Sequence, residues 1–262
     1  MSEQPPGPAG ASDDDSVDIN PRPAALVARR ATLIAALLRR TALEVGLTAG
    51  DPEAERFDLG AWTASEGLPA LATPEEAATF TAPLGALDAL DVEEATWEAE
   101  ALIALAWALG LIEAMPPYDD IANPLPALDA MPVPWDSLAK FARSATLRPV
   151  EALATERERA ELWRWRALVE MGKRISSGAE RRDMQNAARD LARETAEAGL
   201  IDRLVDDDFP AGGRAYHRIS DDDLDDLAEV ARQRLRALNW CCGFGDSWQD
   251  DEALDINWPS DE

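Results

Sequence analysis

Histidine is nearly missing: His217 is the only one in 262 residues. That excludes mechanisms needing two imidazoles, the HExxH zinc site among them, and leaves any Ser-His-Asp arrangement a single candidate base. Cysteine is limited to the adjacent pair Cys241 and Cys242. Neighbouring cysteines supply neither a disulfide framework nor zinc-ligand spacing, so they read as two small apolar residues on a helix. Lysine is confined to Lys140 and Lys173. The basic complement is otherwise arginine, which most simply reflects the base composition of the gene. Long apolar runs are lacking too. The most apolar stretch, 101–112, falls far short of the ~20 residues that span a bilayer. Residues 1–20 have no basic segment ahead of an apolar one, as a signal peptide would. The expectation is a soluble cytoplasmic protein with no membrane partner.

What is present in excess is carboxylate. The chain carries 51 Asp and Glu against 25 Lys and Arg, a formal net charge of -26. Phosphate binding needs clustered cations, so nucleic acid is excluded as a partner, and an anionic membrane surface is disfavoured. The chain is still that of a folded protein, with 46% hydrophobic residues and nine tryptophans. Much of the acidity sits at the ends: five carboxylates fall in 1–21 and seven in 246–262.

Along the chain, residues 1–22 read as a disordered acidic tail that cannot bury enough apolar surface to offset its ordering entropy. Residues 23–256 read as one all-α domain, and 257–262 as a C-terminal tail. A first helix starts near Pro23, with Leu26, Leu33 and Leu37 at helical spacing beside Arg29, Arg30, Arg39 and Arg40. A short helix follows around 55–66. Thr73, Pro74 and Glu76 form a capping-box start. Asp91 and Glu94 make a second capping pair, which predicts a helix over 92–114. That helix is apolar all round after Glu100 and is therefore a buried central helix. Gly110 inside it is expected to allow another helix to approach closely. Six prolines between 116 and 134 exclude regular helix there and predict an extended connector. Helices are then expected near 137–144, from Pro149 to 175, over 181–198, and from the Ser220–Asp223 capping pair to 242, where Gly243 stops the chain. No strand is predicted.

Five clusters have residue types that carry chemistry elsewhere. Glu94, Glu98 and Glu100 around Trp97 suit metal binding or acid-base work, but acids also favour the first turns of a helix. Glu100 stands apart, since it precedes the uncharged run and needs an Arg partner if buried. Arg157, Arg159, Arg164 and Arg166 alternate with Trp163 and Trp165, yet interleaved glutamates make this a solvated, salt-bridged face over two buried tryptophans. Arg232, Arg234 and Arg236 with Asn239 form a structural network or a carboxylate-binding set. Asp206–Asp208 with Asp221–Asp226 lacks the EF-hand pattern and reads as a solvated acidic loop. His217 reads as structural or exposed. No metal and no cofactor is expected.

Several phrases together resemble a bacterial family, domain of unknown function 4272. Trp97-Glu98-Ala99-Glu100-Ala101-Leu102 with Leu105-Ala106-Trp107-Ala108-Leu109-Gly110 resembles its first signature. Leu147-Arg148-Pro149 with Glu151 resembles a second. Arg234 and Ala237-Leu238-Asn239-Trp240 resemble a third, and Trp248, Asp250 and Asp255 a closing one. The likeness runs over about 24–256. Departures are Glu98 where the family has Arg, Gln233 for Glu and Leu235 for His, so a His-dependent activity would not carry over. The matched positions of opposite charge, Glu100, Arg148, Arg234, Asn239 and Asp255, are expected to meet in a buried polar network or ligand site. Trp97, Trp107, Gly110, Trp240 and Trp248 are expected in the core.

The resemblance implies a fold and not an activity. An acidic helical protein without a catalytic motif is expected to be a non-enzymatic interaction module, immunity-like or regulatory, with a basic protein partner. The alternatives are an enzyme or small-ligand binder built on Glu100, Arg148, Arg234 and Asp255, which requires those side chains to converge on one pocket, and a structural oligomer subunit.

Overall fold

Helices dominate the computed structural model, which describes residues 19–249. Nine α-helices occur among the described residues: α1 (Ala24–Glu44), α2 (Pro52–Ser65), α3 (Pro74–Thr81), α4 (Ala89–Ala108), α5 (Leu125–Asp129), α6 (Leu138–Ser144), α7 (Val150–Ile175), α8 (Gly178–Glu197) and α9 (Asp221–Cys242). The class expected from the sequence is the class observed. The C-terminal half of α4 is buried on every side, from Ala99 to Ala108. It packs between α1 and α9, while α9 also packs on α7, and α8 covers α7. One main apolar cluster joins these helices; a second, around Leu33, Leu37, Leu59 and Trp62, ties α1 to α2.

The central helix begins and ends earlier than the sequence reading placed it. Asp88 and not Asp91 is the N-cap, and Asp91 is its partner at the third helical position. The Glu44 carboxylate accepts from the Leu87 N–H at 3.1 Å, which fixes the chain just before this start. The helix ends at Ala108. Gly110 has φ +69° and is exposed, with nothing near the position of an added Cβ. Gly110 N–H bonds Trp107 O and Leu111 N–H bonds Ala106 O, the Schellman pattern. Gly110 is therefore a helix stop and neither a close-approach site nor core.

Three other expectations change. The proline-rich connector contains a short helix, α5, with Pro126 in its first turn. The irregular link contains a two-residue antiparallel pair, Pro210–Ala211 with Arg214–Ala215. Residues 19–22, expected in the tail, dock on the end of α9: Asn20 N–H donates to Cys242 O at 3.0 Å and Arg22 N–H to Cys241 O at 2.8 Å. The rest of the N-terminal tail, the closing motif with Asp250 and Asp255, and the 257–262 tail lie outside the described residues.

Arginine forks close the helix ends. Arg148 Nε donates to Trp107 O at 2.7 Å, and its Nη2 to Ile112 O and Glu113 O at 2.8 Å, at the end of α4. Arg22 does the same for α9 through Trp240 O at 2.8 Å and Gly245 O at 2.6 Å. From α1, Arg29 reaches Glu66 O and Gly67 O after α2, Arg40 reaches Ala82 O and Pro83 O after α3, and Arg39 reaches Leu128 O and Pro132 O around the end of α5. Carbonyls left over at a helix C-terminus attract cations. One planar guanidinium serves two or three of them at once, which an ammonium cannot do in fixed geometry. The arginine bias thus has a structural use beyond base composition.

Candidate functional site

Glu100 and Arg234 meet across the α4–α9 interface, fully buried. Arg234 Nε–H donates to Glu100 Oε2 at 2.7 Å, and Glu100 Oε1 accepts from Ala122 N–H at 2.8 Å. Arg234 Nη1 bonds Pro116 O at 2.7 Å and Pro117 O at 3.0 Å. The pair therefore holds the proline-rich connector against both helices. Its burial is tolerated because each charge has further bonds besides its partner.

The other matched residues lie elsewhere. Arg148 caps α4, with its guanidinium 4.9 Å from the Trp107 ring centre. Buried Asn239 accepts from Arg157 Nε at 2.7 Å, and Arg157 pairs with Glu161 at 3.0 Å. Asp255 lies outside the described residues. Glu100, Arg148, Arg234 and Asn239 thus bind carbonyls, amides and one another at three separate places and do not converge on one pocket. Of the expected core residues, Trp107, Trp240 and Trp248 are buried, and Trp97 is half-buried. Trp240 and Trp248 meet edge to face at 5.4 Å, with Arg30 4.1 Å and Arg236 4.9 Å from the Trp248 ring centre.

Two buried ionic groups escaped the sequence reading. Asp208 is buried and not part of a solvated loop. It accepts from Arg166 Nε at 2.8 Å and Nη2 at 2.7 Å, from the Phe209 and His217 N–H groups at 2.8 and 3.0 Å, and meets His217 Nδ1 at 2.8 Å. Burial raises its carboxyl, but the Arg166 bonds and charge outweigh that and hold it below the usual carboxylate range. Arg166 itself faces inward, so that part of α7 is not a solvated face. Glu170 next to it is raised by burial and brought down further by Lys173 at 2.6 Å and by Arg166 at 3.1 Å. Positive φ at Asp206 (50°) and Asp207 (59°) turns the chain so that Asp208 points in. A run of three aspartates carries no mark of which one is buried.

Two of the concave surfaces among the described residues bear on function. The first lies between the proline-rich connector, α7 and residues 200–203, a cleft of about 360 Å³. Buried Glu156 is in its wall. Tyr118 O–H donates to Glu156 Oε1 at 3.0 Å, and Arg159 pairs with Oε2. Burial pushes the Glu156 carboxyl up and the Tyr118 hydroxyl well up. Tyr118 stacks on Trp163 at 5.8 Å and 14°.

The second is a groove of about 630 Å³ between the first half of α4 and α9. Glu93, Glu94, Glu98, Asp225, Asp226 and Glu229 line it, together with half-buried Trp97 and exposed Leu90. Its two arginines are already engaged: Arg232 with Glu229 at 2.5 Å, Arg236 with Glu98 at 2.5 Å. Burial raises the Asp226 carboxyl, and Asp223, Asp222, Asp225 and Glu93 raise it further. No group of three or more His, Cys, Asp or Glu among the described residues is arranged to hold a metal ion. No helix among them is long and apolar enough to cross a membrane.

No curated protein and no solved structure matches the chain. One family does. Its sequence model, domain of unknown function (DUF4272), matches residues 12–180, and the chain belongs to that family. Glu100, Trp107, Arg148 and the α1 arginines fall inside the match; Arg234, Asn239 and Trp240 fall beyond it.

Proposed function

We propose that this member of the domain of unknown function 4272 family is a non-enzymatic interaction module, immunity-like or regulatory, whose α4–α9 groove receives a cationic segment of a protein partner. One observation carries the reading: the groove holds six carboxylates against two arginines that are both already paired. Burial first, and then the carboxylates around it, raise the Asp226 carboxyl, and a cation placed there relieves both. Trp97 and Leu90 add apolar area along the same surface. An acidic lining with an aromatic side chain in it fits an amphipathic helix with an Arg-rich face, which docks by helix-in-groove recognition. Glu100 and Arg234 are spent on each other in a buried interface and Arg148 caps the end of α4, so no catalytic reading of those residues is favoured.

The test is titration calorimetry with a designed amphipathic Arg/Leu peptide at low and at moderate salt. Binding at low salt, weakened about tenfold or more at moderate salt and weakened further by Trp97→Ala, is the expected result. No binding at low salt, or binding indifferent to Trp97→Ala, contradicts the groove as the docking surface.

A further inference from the structure

Asp208, Glu100 and Glu156 are all buried carboxylates, and of the three Glu156 lines the cleft between the connector, α7 and residues 200–203. Asp208 has five contacts, from Arg166, His217 and two backbone amides. Glu100 has Arg234 on one oxygen and Ala122 N–H on the other, inside a sealed interface. Glu156 has one donor on each oxygen, Tyr118 and Arg159, and it lies in the wall of an open cleft. A carboxylate accepts about four hydrogen bonds, so Glu156, with two donors and a place in the cleft wall, has capacity left. Its carboxyl is held up by burial despite Arg159 and Tyr118, the reverse of Asp208. A further cation or donor would relieve it.

The same cleft offers cationic donors beside two further carboxylates, Asp119 and Asp202. Arg159 uses Nε on Leu200 O at 2.9 Å and Nη1 on Glu156, while Nη2 has no partner among the described residues. Arg203 lines the mouth, exposed and without an ion pair among those residues. The aromatic Tyr118–Trp163 stack and Ile201 supply apolar wall. At about 360 Å³ the cleft is near the lower end of the ~300–1,000 Å³ range of ligand pockets. It suits a ligand of few heavy atoms.

We infer that this cleft is a binding site for a small zwitterion of the α-amino-acid class, its ammonium on Glu156, its carboxylate on Arg159 and Arg203, and its side chain against Trp163. The site is separate from the α4–α9 groove and does not depend on it. Both charges of the ligand are needed, because either alone leaves one wall of the cleft unanswered.

The experiment is calorimetry of the full-length protein against each of the common α-amino acids, followed by the decarboxylated amine and the deaminated acid of the tightest binder. Expected is binding by at least one amino acid, with both truncated analogues about tenfold weaker or worse. Arg203→Ala, at an exposed position with no ion pair among the described residues, is expected to weaken it about fivefold. Glu156→Gln keeps an acceptor for Tyr118 and is expected to abolish it; if that variant does not fold, Arg159→Gln replaces it with the same expected loss. Absence of binding by every amino acid at millimolar concentration overturns the inference. So does equal binding by the deaminated acid, or affinity unchanged in Arg203→Ala.

Discussion

At the scale of single residues, the fold depends on arginines that do what a lysine cannot. Arg148 gives three hydrogen bonds to carbonyls at the end of α4 and lies over Trp107. Arg148→Lys keeps the charge and loses the fork, and is expected to cost about 1–3 kcal/mol, the scale of hydrogen bonds to a charged group. A shifted urea midpoint with unchanged slope checks it. Asp208 makes a pH prediction. Its folded pKa is depressed, so it stabilises the fold above the usual carboxylate range and loses that contribution as pH falls through the folded value, below about pH 4. Asp208→Asn is expected to destabilise the protein at pH 7 and to narrow its distance from the parent at pH 3, read from urea midpoints at both pH values. Sequence alone marked Glu100 as needing an arginine, because a charge beside a long uncharged run is buried. It did not say which arginine: Arg234 is 134 residues away, and pairing at that distance is a product of packing.

At the scale of elements, the punctuation was readable where a cap has a unique solution. Thr73 with Glu76 and Ser220 with Asp223 form the capping boxes that their spacing announces, and Gly243 ends α9. The start of α4 had two solutions three residues apart, Asp88–Asp91 and Asp91–Glu94, and a tertiary contact from Glu44 to Leu87 N–H accompanies the earlier one. Two stop glycines separate local strain from docking. Gly110→Ala meets only its positive φ and is expected to cost about 1 kcal/mol. Gly243→Ala adds a Cβ 2.3 Å from Asn20 O, so it must also displace the segment that pairs with the end of α9. It is expected to cost more than Gly110→Ala, and hydrogen exchange at Asn20 and Arg22 is expected to speed up in Gly243→Ala alone.

At the scale of the whole molecule, net charge motivates the proposed kind of partner and says nothing of the surface. The carboxylates near the ends of the chain and those on α9 look alike in a count. Only the packing of α4 on α9 with start beside start, Glu93 near Asp226 and Glu100 on Arg234, brings Glu93 and Glu94 to Asp225 and Asp226, which no local pattern encodes. Burial, and after it the neighbouring carboxylates, disfavour charge on Asp226, a stability cost at neutral pH. The raised Asp226 pKa means that stability is favoured at low pH and lost as pH rises through the folded value. The most direct measurement compares two double charge reversals of equal size in calorimetry with the cationic amphipathic peptide at low salt. Asp225→Lys/Asp226→Lys changes the groove, and Glu194→Lys/Glu197→Lys changes exposed positions on α8. The account predicts that the groove variant loses binding at least tenfold more than the α8 variant, and that it unfolds no earlier than the parent at pH 7. Equal loss in both would mean that the peptide answers only to total charge, and would contradict a docking groove between α4 and α9.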